Sequence, residues 1–565
     1  MESVRISAMP FGDGLRLTTA VKPTHDYELR ATLRIPEPLG DGDPCLLVFW
    51  ARALETSDEM GEGAVSIIVE KAQEKTGGGE KFLNKKFKFG REWKEFLMPF
   101  AVKACPAGGA QVMVKFGYHP QVVEIGGLTI LNYAGVKALG ALPQTGNLVT
   151  YGGREASAPW RPMAAARIEK FRKGPFSVKV VDGGGRAVPG ARISVSMKRH
   201  AYHFGSEVRT KYILDPGENG KAYRKVIEDN FNTATPINDL MFGPWMIGEK
   251  GSPRSDYSRS NTFLSLNWLR ERGLRVRGHN LLWGPLDSRA YSPARGFDFD
   301  GGDRGAMKAM LLGHLEEKSR DTRPFVAEWD AINHPVATWG VGGRTWSDVL
   351  GFEFYVEALR RARALAPEQR LFLNEGTDFP GDNEGMRARY EQLIRDCLAA
   401  KAPLDGLGFM CHFGEASLTA MDKVEELLNR FAKFDLAMQA TELDIGTGGD
   451  EAAQADYLRD FMTLFFSHPA TVGIVMFGFW EGAHWYPDRA LWRKNWELKP
   501  NGKAWLDLVK GAWWTRVEGA TDGRGILSNR GFYGEYRVEV GWEGKTRTEV
   551  RTLSPGSGDW VISLP

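Results

Sequence analysis

Two rhythms of apolar and polar residues divide the chain. Over residues 1–138 the two kinds alternate in short runs: YELRATLRI (27–35), PCLLVFWAR (44–52), AVSIIVEKA (64–72) and QVMVKFGYH (111–119), separated by Gly, Pro and Asp clusters. Alternation with period two sends successive side chains to opposite faces of a strand, so the set predicts a β-sandwich. Residues 139–165 are rich in Gly, Pro and Ala and read as a linker. Alternation returns over 166–199, where SVKVVD, a Gly-Gly-Gly turn and ARISVSM predict a small β-hairpin.

From 200 to 515 the rhythm changes. Apolar strand-like runs are HAYHFGSEV (200–208), FNTATPIND (231–239), LRVRGHNLLW (274–283), VAEWDAINHP (326–335), RLFLNEGT (370–377), GLGFMCHF (406–413), LAMQATELDI (436–445) and TVGIVMFGFW (471–480). Amphipathic stretches such as FEFYVEALRRARALAP and MDKVEELLNRFAKF lie between them. Eight strand–helix units over about 300 residues is the arithmetic of a TIM barrel. The tail, 516–565, alternates again and reads as a small β element stabilising the barrel. The fold class expected is therefore multidomain: a central (β/α)8 TIM barrel, an N-terminal β-sandwich and small β flanking elements.

Composition narrows the function classes. Lys plus Arg is 73 against 71 for Asp plus Glu, a net charge of +2, so no strong field draws nucleic acid or an anionic membrane. No run of 18 apolar residues suggests a membrane span. The N-terminus MESVRISAMPFGDGLRL lacks the apolar core of a signal peptide, which leaves an intracellular chain or one that begins after a removed signal. The four cysteines show no C-x-x-C spacing; Cys45 and Cys105 either pair or stay as buried thiols. No metal constellation stands out, VDGGGRAVPG reads as a turn rather than a phosphate cradle, and no cofactor is called for.

The chemistry-bearing string is QATELDIGT. Glu442 stands at the predicted C-terminal end of the seventh strand, where a TIM barrel opens its mouth. A carboxylate there is placed to attack an anomeric carbon. Asp444, two residues on, shares its face and can hold His412 at the end of strand six. Taken singly, each has a plain alternative: a loop-capping Glu442 and a satisfied barrel histidine.

Taken together, HFGSEV, FNTATPIND, RVRGHNLLW, EWDAINHP, RLFLNEGT, DGLGFMCHF, ATELDI, FGFWEGAHW and LKPNGKAW resemble glycoside hydrolase family 10, the xylanase family of retaining barrel enzymes. The resemblance implies Glu442 as nucleophile, His412 as its orienting partner with Asp444 in support, and Asn333 on the sugar 2-hydroxyl. It implies that His279 and Trp283 shape the −1 sugar site and that Trp485 roofs it. It also implies secretion or a periplasmic location, and a polysaccharide or oligosaccharide as partner. In the N-terminal module, WKEFLMPF and VMVKFGYHPQVVEIGGLTILNYA resemble carbohydrate-binding modules of families 4 and 9, jelly rolls often carrying a structural calcium. Trp50, Trp93 and Tyr118 are its candidates for stacking on sugar or, equally, for packing.

The departures from family 10 define the questions. The family's acid/base Glu follows the fourth-strand Asn; here the order is Asn333-His334-Pro335. An imidazole can donate and accept a proton near neutral pH. Glu375, Glu481 and Glu207 are further carboxylates expected at the mouth, as alternative acids, hydroxyl-binding groups or partners of Arg209 and Arg277. After strand two Asn238 matches the family, but Ile237 and Met241 replace its Glu and Lys, and strand eight has Phe477 for its Trp. Plain xylan is therefore a doubtful substrate. Two readings stand: a glycoside hydrolase using Glu442 and His334, and a non-catalytic carbohydrate-binding barrel.

Overall fold

A computed structural model describes residues 1–72, 79–145, 149–247, 257–286, 298, 301–376, 379–381 and 383–564. Thr377, in the fifth-strand string, lies outside them. The chain forms two compact units, Met1–Ala158 with Glu415–Lys423, and Pro159–Gly414 with Val424–Pro565.

In the first unit the alternating runs become two antiparallel sheets. One orders Glu2–Arg5, Asp13–Thr19, Gln121–Asn132, Pro44–Thr56 and Lys94–Ala101; the other orders Arg30–Ile35, Ala110–Lys115, Gly63–Lys71 and Lys81–Phe89. From Asp13–Thr19 onward consecutive strands switch sheets, except for the hairpin of Gly63–Lys71 and Lys81–Phe89, the connectivity of a jelly roll. Their inward positions fill one apolar core, in which Phe49 meets Phe87 and Phe96 at ring-centroid distances of 4.8 Å each. Trp50 and Trp93 are half-buried against Phe11, and Lys86 Nζ sits 4.0 Å from the Tyr118 ring. Cys45 and Cys105 are buried thiols outside any disulfide, as are Cys397 and Cys411, so the pairing considered for the first two is not made.

In the second unit the expected barrel is present. Its strands are His203–Val208, Thr233–Pro236, Arg275–Trp283, Val326–Asn333, Arg370–Glu375, a sixth in two pieces (Gly406–Phe409 and His412–Phe413), Ala437–Ile445 and Thr471–Met476. All pair in parallel, and contacts of strand one with strand eight and of strand six with strand seven close the ring. The pairing register slips near the C-terminal ends of strands three, four and seven, between His279 and Leu282, Asp330 and Ile332, and Ala440 and Leu443. A slip of this kind breaks strict alternation and re-aims side chains. It lets Asp330 and Asn333, or Thr441 and Glu442, serve the same interior although their spacing is odd.

Two local expectations are corrected. The stretch read as a linker contains a helix, Trp160–Phe171, with Trp160, Ala164 and Ile168 buried on one face. Arg161 anchors it through two hydrogen bonds to Asp460, of 2.8 and 2.7 Å. Its Ala run, taken for linker composition, is also the best helix-forming composition. The hairpin expected over 166–199 does not form, because its strands join different sheets. Lys173–Val181 lies between Ile526–Phe532 and Asp559–Ser563, while Arg192–His200 lies between Arg516–Ala520 and Gly534–Trp542. Alternation marks a strand but not its partner, and here the partners come from the tail. The two sheets enclose Phe176, Tyr536 and Trp560, with Phe176 stacked on Trp560 at 5.0 Å.

Candidate active site

Glu442 stands within the register slip of strand seven, between Ala440 and Leu443, and is buried in the mouth of the barrel. Asn374, from strand five, donates from Nδ2 to Glu442 Oε1 at 3.0 Å and to Asn333 Oδ1 at 2.7 Å. Thr441 in turn donates to Asn374 Oδ1 at 2.6 Å, which fixes the amide's orientation. The other oxygen, Glu442 Oε2, lies 3.2 Å from His412 Nε2. Burial alone pushes the Glu442 carboxyl up, but the His412 hydrogen bond and the charges of His279 and His412 outweigh it and hold the group below the usual carboxylate range.

His412 is the middle of a relay. It pairs across the strands with Asp444, and its Nδ1 lies 3.2 Å from Asp444 Oδ2. Asp444 also accepts from Trp485 Nε1 at 2.6 Å and from Arg489 at 2.8 Å. Burial disfavours a charged imidazole, yet the Asp444 charge and the bonds to Asp444 and Glu442 raise His412 to about 9. Near neutral pH His412 is therefore a cation between two carboxylates, hydrogen-bonded through Nε2 to Glu442 and ion-paired with Asp444. Trp485 is 48% exposed, with its ring 4.9 Å from that of His412.

His334 follows strand four in a left-handed conformation, φ 54°, which His tolerates better than most residues. Its Nδ1 lies 3.2 Å from Glu375 Oε1, and Glu375 is itself fixed by the backbone N–H groups of Gly376 and Val336. A carboxylate on Nδ1 keeps the proton there and leaves Nε2 as the working nitrogen. The ring stands edge-on between Trp283 and Trp339, at 5.2 and 5.3 Å. A side chain at Gly376 would put its Cβ 3.1 Å from His334 Cε1, so glycine makes room for the imidazole.

A third group lies beneath these. His279 Nδ1 is 2.8 Å from Asp330 Oδ2, and Arg277 pairs with Asp330 Oδ1 and with Glu328. Ligand atoms of His279, Asp330 and Glu442 all lie within 4.8 Å of one another. They fit a metal ion poorly, because both Asp330 oxygens are engaged and a buried guanidinium adjoins them. The described residues of the N-terminal sandwich gather no comparable trio for the calcium that its resemblance implied.

The sequence profile of glycosyl hydrolase family 10 matches residues 194–507, more than half of the chain. This chain belongs to glycosyl hydrolase family 10. It is 29% identical over 405 residues to the anti-sigma-I factor RsgI6 of Acetivibrio thermocellus, a match covering 71% of this chain and 49% of that protein. It is 25% identical over 337 residues to endo-1,4-beta-xylanase B of Paenibacillus barcinonensis, covering 54% of this chain and 94% of the xylanase. Native xylanase 10B from Thermotoga maritima matches 55% of this chain at 20% identity with a TM-score of 0.47. The chain thus spans about half the length of the anti-sigma-I factor and most of the Paenibacillus xylanase.

Within this family 10 barrel, Glu442, His412, Asp444, Trp485, His279 and Asn333 form one connected network, and His334, Glu375 and Trp283 a second one joined to it through neighbours Asn374 and Glu375. Asn238 lies half-buried past strand two with φ 68° and is tied to neither network. Glu481 is turned to another loop, accepting from Lys494 N at 2.9 Å and lying 3.8 Å from Lys499 Nζ. The salt bridges considered for Arg277 go instead to Glu328 and Asp330. Sequence reasoning missed Asn374, Asp330, Arg489 and Trp339 as site residues. Asn374 and Asp330 sit inside the strings that carry the family resemblance; Trp339 and Arg489 lie in loops with no such signal.

Proposed function

We propose that the barrel hydrolyses a β-linked glycan by double displacement, with Glu442 as nucleophile and His334 as acid/base. The observation that carries this is the Glu442 carboxylate, kept ionised in the barrel mouth by Asn374 and the cationic His412. Nothing in a passive sugar cleft calls for a buried, aimed carboxylate.

In the first step a Glu442 oxygen bonds to the anomeric carbon while the glycosidic C–O bond breaks. The departing oxygen takes the Nε2 proton of imidazolium His334 and leaves as an alcohol. In the second step neutral His334 takes a proton from water, whose oxygen bonds to the same carbon and releases Glu442. Glu375 holds the Nδ1 proton throughout and keeps the ring aimed. Asn333, fixed by Asn374, is placed to meet the sugar 2-hydroxyl.

The substrate we infer is a polysaccharide or its oligosaccharides, related to xylan but gripped differently, since Ile237 and Met241 bring apolar groups to strand two. The N-terminal jelly roll is proposed as a carbohydrate-binding module that holds the barrel near polymer. From the family resemblance we infer a secreted or periplasmic protein when the substrate is polymer and a cytoplasmic one when it is oligosaccharide, which locating the chain in cell fractions tests.

One observation favours the second reading, a barrel that binds glycan without cleaving it: the imidazole of His334 where the family carries a carboxylic acid. Aryl β-glycosides separate the two, because a nitrophenolate leaves with little acid assistance. Release of nitrophenol that Glu442→Ala abolishes supports hydrolysis. Binding of xylo- or cello-oligosaccharides with no turnover of any aryl glycoside establishes the binding reading instead.

A further inference from the structure

Strand one places a carboxyl group that neither network uses. Glu207 is 4% exposed, and its Oε1 is fully buried without a hydrogen-bond partner among the described residues. A buried carboxyl left unpaired is costly, so this oxygen calls for a partner that a ligand hydroxyl entering here would supply.

The surroundings state what that ligand brings. Glu207 faces a small cavity walled by Ile237, Phe477, Trp480 and Trp485, with Arg209 and Tyr223 beside it. Arg209 Nε is spent on the carbonyl of Ala483 at 2.8 Å, and the Tyr223 hydroxyl oxygen accepts the Arg209 N–H at 3.0 Å. The space admits one water-sized group, not a pyranose ring. One wall, Trp485, also touches His412 and donates to Asp444, so the cavity opens beside the nucleophile's supports.

Burial first, and then the charge of Glu442, push the Glu207 carboxyl well above its usual range; Asp444 and Asp330 add to this and Arg209 opposes it. That environment favours the protonated form, which donates one hydrogen bond and accepts others.

We propose that Glu207 receives one hydroxyl of the sugar ring attacked by Glu442, and that this contact sets which sugar the pocket takes. Apolar and aromatic walls reject little on their own, whereas a buried polar group left unpaired by the wrong sugar discriminates. The proposal rests on Glu442 being the nucleophile.

The test uses the full chain and 4-nitrophenyl β-glycosides of xylose, xylobiose, glucose and cellobiose, then singly deoxygenated derivatives of whichever is turned over fastest. For one deoxygenated position the wild type loses roughly tenfold in kcat/KM, the scale of one buried hydrogen bond. Glu207→Ala abolishes that discrimination, and Glu207→Gln, which also donates and accepts while uncharged, retains it. Glu207→Met, close in shape and without hydrogen bonds, stands in if the Ala variant fails to fold. Discrimination unchanged in the Ala or Met variant overturns the role of Glu207 and leaves the nucleophile intact. Turnover that is absent, or that survives Glu442→Ala, overturns the hydrolase reading and this inference with it.

Discussion

His334 and Glu375 leave neighbouring barrel strands and face each other at 3.2 Å, the imidazole held by a carboxylate that two backbone N–H groups already fix. If this pair moves the glycosidic proton, its loss is felt where the leaving group needs that proton. Glu375→Gln is expected to slow a poor leaving group by about a hundredfold, within the usual range for general acid catalysis. A nitrophenyl glycoside should lose much less. Comparing kcat for alkyl and nitrophenyl glycosides measures the difference; equal losses on both would place the defect elsewhere.

The His412–Asp444 pair gives a pH signature. His412 ionises at about 9 in the fold, against about 6.5 when unperturbed. Aryl glycosidase activity should therefore hold through neutral pH and fall above about 9 as His412 loses its proton. Asp444→Asn removes the charge that does most to raise it, and the alkaline limb should move down. The same pair stabilises the fold fully below about 6.5, and that contribution is lost as pH rises to about 9.

Buried histidines act in the opposite direction. Burial lowers His200 to about 3, and His203, His468 and His484 to about 4. In the unfolded chain each takes up a proton near pH 6.5, so below that value the unfolded state binds more protons. The melting temperature should fall as pH drops from about 6.5 toward 4. A melting curve flat across that window would contradict the assignment of these rings as neutral.

Asn374 joins Thr441, Asn333 and Glu442 in one hydrogen-bonded set. Asn374→Ala leaves buried partners unpaired and should cost about 1–3 kcal/mol, measured by denaturant unfolding. Turnover should drop as well, since Glu442 loses the donor on one oxygen. Full activity in this variant would show that Asn374 does not orient the nucleophile.

Much of this arrangement was legible in the chain. The eight barrel strands are apolar runs of strand length, and each forms within a few residues of its string. Glu442, Asp444 and His412 could be linked because parallel strands carry function at their C-terminal ends. What resisted reading depends on register and partner choice. Asp330 and Glu442 stand at slips in strand pairing, which no period of hydrophobicity records, and Asn374 joins them through hydrogen bonds to Asn333 and Glu442 on other strands. Ile526–Phe532 and Asp559–Ser563 flank Lys173–Val181, an association between distant segments that local alternation cannot express.

That association yields a further expectation. Removing residues 516–565 strips all the partner strands from Lys173–Val181 and Arg192–His200 and uncovers Phe176. The shortened chain should melt lower and aggregate, as read by thermal scanning and light scattering. Retained solubility and stability would mean that the barrel does not depend on this sandwich.

Ser177 and Asp559 donate and accept a hydrogen bond of 2.8 Å across 382 positions of sequence. On the ribosome, the first half of the clasp emerges early and must wait, edges open, until residues 516–563 are made. A chain cut just before residue 516 would carry a finished set of barrel strands and still hold two bare β-edges. Residues 516–563 therefore work as a seal, covering strands that are laid down before the barrel begins.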